Sequence, residues 1–101
     1  MKNYAILRKQ FEEIRDEILM LLAKNVFEVK EMHKLHMLRN DLLQVIVEAE
    51  AFSFFEGEDY AFVSMLMIAK LLLDAAEARL SSLNYYRIVV PYDDYEDPNI
   101  L

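Results

Sequence analysis

Neither glycine nor proline occurs before Gly57 in this 101-residue chain, so nothing compels a turn or a helix stop over the first half of the sequence. What periodicity the stretch carries is helical. Tyr4, Leu7, Phe11, Ile14, Ile18 and Leu21 recur at intervals of three and four, which places them on one stripe of a helix. Arg8, Lys9, Glu12, Glu13, Arg15, Asp16 and Glu17 fall mostly on the other face. A second stripe, Leu35, Leu38, Leu42, Val45, Ala49 and Phe52, is as regular, but extending it back by seven residues brings Glu28 onto the seam. The two registers do not join, and we place a break near Asn25-Val26-Phe27; a stutter within one long helix is the alternative.

Gly57 stops the second helix at Phe54 or Phe55, since glycine enters a left-handed cap conformation without steric cost. Asp59 then reads as the N-cap of a third helix running to about Leu83, where Ser81, Ser82 and Asn84 compete for backbone hydrogen bonds. From Tyr60 to Leu73 this helix is apolar almost all round, a pattern that calls for burial on every side. Two neighbours from the same chain cannot surround it. With 55% hydrophobic residues the chain is also too small to hide all its apolar surface. The expected fold is therefore all-α: a three-helix antiparallel bundle over residues 1–84, dimerising into a larger bundle. Phe62, Met65, Leu66, Ile68 and Leu72 are the expected dimer interface. Residues 85–101 form an extended segment and acidic tail, because Tyr85-Tyr86-Arg87-Ile88-Val89-Val90 is β-branched and aromatic while the chain beyond Pro91 is acidic.

Charge narrows the partners. The net charge is -7, but residues 1–40 carry net +2 and residues 41–101 net -9. An acidic second half argues against nucleic acid, whose phosphates need clustered Lys and Arg, and favours a basic protein partner. In the tail Tyr92, Asp93, Asp94, Tyr95, Glu96 and Asp97 alternate aromatic anchors with steering charges, and are the candidate partner-binding residues. The longest apolar run, Ala61 to Leu73, is too short for a bilayer, which needs about 20 residues. Met1-Lys2-Asn3-Tyr4 leads straight into charged helical sequence without a signal-peptide core, and there is no cysteine. The expectation is a cytoplasmic protein that does not enter membranes.

Catalytic signatures are sparse. A lone Gly57 excludes phosphate-cradling glycine loops, and Ser53, Ser64, Ser81 and Ser82 lack an elbow motif or a nearby histidine in sequence. His33 and His36 stand three apart, a spacing that can coordinate a metal, but in the polar stretch Lys30-Glu31-Met32-His33-Lys34 they read as surface residues. Glu13 with Asp16 and Asp74 with Glu77 are i, i+3 acidic pairs on helices that can face each other. On these four residues the chain faintly resembles the all-α nucleotide pyrophosphohydrolases, which implies a magnesium site; the rest of that family's acidic pattern is missing. Tyr92 and Glu96, with Phe55-Glu56-Gly57 where the family has Trp-x-Gly, resemble the small helical-hairpin proteins of type VII secretion, though the Trp is absent. Residues 48–80 resemble hairpins of the HEPN kind, but Arg39-Asn40 is followed by no histidine, so ribonuclease chemistry does not carry over. No catalytic residue, metal or cofactor is assigned. The sequence reads best as an interaction module of the inhibitor, antitoxin, immunity or accessory kind, with a metal-dependent nucleotide hydrolase or a secreted hairpin as the alternatives.

Overall fold

The computed structural model describes residues 4–56 and 60–85, and for residues 52–56 the backbone alone. Three helices follow one another: α1 over Tyr4–Leu22, α2 over Val29–Glu56 and α3 over Tyr60–Ser82. Each packs on both others. Ion pairs reveal the directions. Lys34 reaches Glu17 at 3.9 Å between α2 and α1, Lys70 reaches Glu50 at 3.2 Å between α3 and α2, and Arg39 pairs with Glu77 one end further down. Successive helices are thus antiparallel, and α1 lies parallel to α3, with the Tyr4 and Phe62 rings 5.4 Å apart at one end.

The break between α1 and α2 is built without glycine. Glu28 stands at the N-cap of α2: its carbonyl accepts from Glu31 and Met32 N–H at 3.0 Å, and its own N–H donates to the Glu31 carboxylate at 2.9 Å. This is the carboxylate half of a capping box, with Phe27 and Met32 at the staple positions and both packed on the core. Lys24 also pairs with Glu31. The Glu31 carboxyl is held below its usual range, first by the Glu28 N–H and then by Lys24. Arg79 closes the loop from α3: its Nη2 donates to the Lys24 carbonyl at 3.1 Å and its guanidinium lies 4.9 Å from the Phe27 ring centre. At the far end of α3, Asn84 takes the left-handed conformation (φ 58°), the usual helix-stopping role of Gly or Asn.

The core follows the two stripes closely. Leu7, Phe11, Ile18 and Leu21 of α1 are buried, as are Leu35, Leu38, Leu42, Val45 and Ala49 of α2, joined by Ile46. α2 runs to Glu56, slightly past the expected stop. Asp59 lies outside the described residues. α3 departs from the expectation of burial all round. Phe62, Met65, Ala69, Ala76 and Leu80 are buried, whereas Met67, Ile68 and Leu71 stand 62%, 47% and 67% exposed. Tyr85, which opens the segment read as extended, is packed into the bundle with 1% exposure.

Candidate functional site

Antiparallel packing of α1 on α2 opens a groove of about 370 Å³. Its floor is apolar: Ile14 from α1, and Leu38 and Val45 from α2. Its rims are acidic, with Glu13 and Glu17 on one helix and Asp41 and Glu48 on the other. The spacing explains the arrangement, since residues flanking a buried stripe at intervals of three, four and seven line up along its shoulder. Gln44 donates to Glu48 at 3.2 Å, and Lys34 approaches Glu17 at one end. Four carboxylates along the two rims of an apolar floor generate a field that attracts cations, and the floor beneath takes an aliphatic or aromatic side chain.

On the other side of α1 lies a groove of about 320 Å³ with different chemistry. Phe11 and Met65 form its floor, Arg8, Glu12 and Arg15 its α1 rim, and Ala61, Ser64 and Ile68 of α3 its far wall. The rim charges are partly spent on each other: Arg8 donates to the Tyr4 hydroxyl at 2.9 Å and pairs with Glu12 at 3.5 Å, while Arg15 bonds Asp16 at 3.0 Å. Beyond this wall the surface of α3 continues as Met67 and Leu71.

Of the residues expected to form a dimer interface, Phe62 and Met65 are used in the chain's own core, and Leu66 and Leu72 are half-buried against it. Ile68 is mainly exposed, and the two most exposed large apolar residues beside it, Met67 and Leu71, were not in the expected set. Periodicity could not rank them, because an all-round apolar helix has no face that stands out until its neighbours are placed. Tyr92, Asp93, Asp94, Tyr95, Glu96 and Asp97 lie outside the described residues, as does most of the extended segment.

His33 and His36 are not a solvated pair. Both are half-buried and hold Tyr85 between them. The Tyr85 hydroxyl lies 3.2 Å from His33 Nδ1, the two rings meet edge-on at 5.7 Å, and the His36 ring lies 5.1 Å from that of Tyr85 at 32°. Nor are the four carboxylates of the pyrophosphohydrolase likeness brought together. Glu13 belongs to the α1/α2 groove, and Glu77 is taken by Arg39, whose Nε donates to it at 2.9 Å. Among the described residues no group of three or more His, Asp or Glu converges as a metal ion needs, and no helix is long and apolar enough to cross a membrane.

Comparison with protein-family models, with curated proteins and with solved structures returns no match. The functional reading therefore rests on the two grooves and the face beside them.

Proposed function

We propose that this chain is a small acidic helical binding module that covers a basic surface on another protein, in the manner of an inhibitor, antitoxin, immunity or accessory protein, and that it self-associates through α3. The observation that carries the reading is the α1/α2 groove, an apolar floor between two acidic rims. That combination fits an amphipathic helix bearing Lys or Arg: the apolar side seats on Ile14, Leu38 and Val45, and the basic residues reach Glu13, Glu17, Asp41 and Glu48. The tail extends the same chemistry, adding Asp93, Asp94, Glu96 and Asp97 with Tyr92 and Tyr95 as anchors. Self-association is supported by the apolar side chains that α3 turns outward, Met67, Ile68 and Leu71.

Titration calorimetry with a cationic amphipathic helical peptide tests the reading. Binding that weakens with salt and with the paired substitution Glu13→Lys and Asp41→Lys supports the groove; binding that falls only when the chain is ended at Val90 moves the site to the tail; no binding to any cationic helix removes the proposal.

A further inference from the structure

We infer that His33, His36 and Tyr85 form a pH-sensitive latch: Tyr85 is seated on α2 while both imidazoles are neutral, and their protonation releases it. The turn that ends α3 builds the seat. Leu83 N–H donates to the Arg79 carbonyl at 3.1 Å and Asn84 N–H to the Ser81 carbonyl at 3.0 Å. Asn84 then takes φ 58°, and Tyr85, with 1% exposure, lies against the two histidines. Tyr85 is thus the anchor from which residues 86–101 depart. What release does for the tail rests on the partner-binding reading of residues 92–97; the latch itself does not.

Hydrogen-bond polarity favours the neutral rings. A guanidinium has donors only. Arg39, held on Glu77 through Nε at 2.9 Å, donates from Nη1 to Asn40 Oδ1 at 2.9 Å, and this turns the Asn40 Nδ2–H toward His36 Nε2 at 3.4 Å. His36 Nε2 therefore accepts. At His33 it is Nδ1 that accepts, from the Tyr85 hydroxyl at 3.2 Å. Protonation turns each accepting nitrogen into an N–H that faces a donor.

Charge acts in the same direction. On α2, Lys30 and Lys34 flank His33, and Arg39 lies one turn beyond His36. The carboxylates around them are engaged: Glu17 of α1 by Lys34 at 3.9 Å, Glu28 by Lys30 at 3.8 Å, Glu31 by Lys24, and Glu77 of α3 by Arg39. Arg79 of α3 turns away to the Lys24 carbonyl. An imidazolium at this place joins Lys30, Lys34 and Arg39. The ring contact works against this, since the Tyr85 face, 5.1 Å from the His36 ring, attracts a cation. It is one contact against two reversed hydrogen bonds and a surplus of like charge. Seating is therefore complete above the range, about pH 8 to 5, in which histidine changes charge, and is lost as pH falls through it.

NMR on the full chain between pH 8 and pH 5 tests the latch. The histidine ring signals report proton uptake, the Tyr85 ring signals report seating, and hydrogen exchange of the Leu83 and Asn84 amides, corrected for the intrinsic effect of pH, reports how often the turn opens. As the histidines protonate, the Tyr85 signals are expected to move to the position of an exposed tyrosine. Protection of Leu83 and Asn84 is expected to fall about tenfold or more, while amides in the middle of α1 and α2 keep theirs. His33→Gln with His36→Gln, which keeps the acceptors and takes up no proton, is expected to remove the pH dependence. His36→Lys, which fixes the charge, is expected to unseat Tyr85 already at pH 8. A Tyr85 that stays seated after both histidines have protonated overturns the latch, as does an unchanged pH dependence in the glutamine double variant or a loss of protection throughout the bundle at once. None of these readouts involves the α1/α2 groove, so the latch and the binding reading fail separately.

Discussion

Two grooves of similar size flank α1, about 370 Å³ toward α2 and about 320 Å³ toward α3, and their linings are opposite in character. The first carries Glu13, Glu17, Asp41 and Glu48 on its rims. The second has Arg8, Glu12 and Arg15 on one rim and an uncharged wall on the other. Shape alone does not distinguish them; any two helices packed side by side leave such a furrow. What differs is which residues the helix shoulders carry, and so what each furrow attracts. A single amphipathic helix, with one buried stripe and two unlike shoulders, thus prepares one side of the bundle for cations and the other for apolar contact.

The comparison can be broken most forcefully at the element both grooves share. Phe11→Ala removes a nearly buried ring beneath the α3 side and is expected to lower stability by about 3–5 kcal/mol in urea unfolding, loosening α1 so that both surfaces fail together. Leu71→Lys acts on one side only: dimerisation falls about 100-fold, while the unfolding midpoint moves little because the side chain is exposed. The reciprocal change, Glu13→Lys with Asp41→Lys, should weaken a cationic helical peptide about 10-fold and flatten its salt dependence, leaving the dimer unaltered. Tyr85→Phe touches neither groove. It removes the hydroxyl beside His33 Nδ1, costs about 0.5–1.5 kcal/mol of stability, and leaves both associations intact. The smallest effect belongs to Glu31→Gln, read as thermal midpoints across pH. The folded-state pKa of Glu31 is depressed, so its contribution is present above the usual carboxylate range and lost as pH falls through the folded value. Wild type and variant should differ at neutral pH and converge in acid, again with both grooves working.

How much of this was legible depended on whether one face of a helix, or several, had to be judged. The α1 stripe announced its buried side because charged residues filled much of the rest of the wheel, and the α2 stripe by its regular spacing alone, since Met37, Leu43 and Val47 stand exposed outside it; Leu7, Phe11, Leu35 and Leu42 lie where the spacing puts them. α3 gave no such contrast. Its core face, with small Ala69 and Ala76, is less conspicuous in sequence than the Met67, Ile68 and Leu71 it leaves outside. The break before α2 was visible as a slipped register, but its cap was not, since Glu28 is an unusual N-cap and works through its backbone and Glu31. The acidic groove was missed for a different reason. Glu13 and Glu17 look like an ordinary solvated face until α2 brings Asp41 and Glu48 alongside; their place on the shoulder of the stripe, with Asp41 and Glu48 seven apart, was the signal available. Nothing local marks Tyr85 as the partner of His33, 52 residues away in the chain.

The measurement that bears most directly on this account is a calorimetric titration of one cationic amphipathic helical peptide into three proteins: the full chain, its Glu13→Lys and Asp41→Lys double variant, and Leu71→Lys. The peptide is expected to bind the full chain and Leu71→Lys alike and to lose about tenfold or more on the double variant. Equal affinity for all three, or a loss confined to Leu71→Lys, would contradict the assignment of the acidic groove as the partner-binding side.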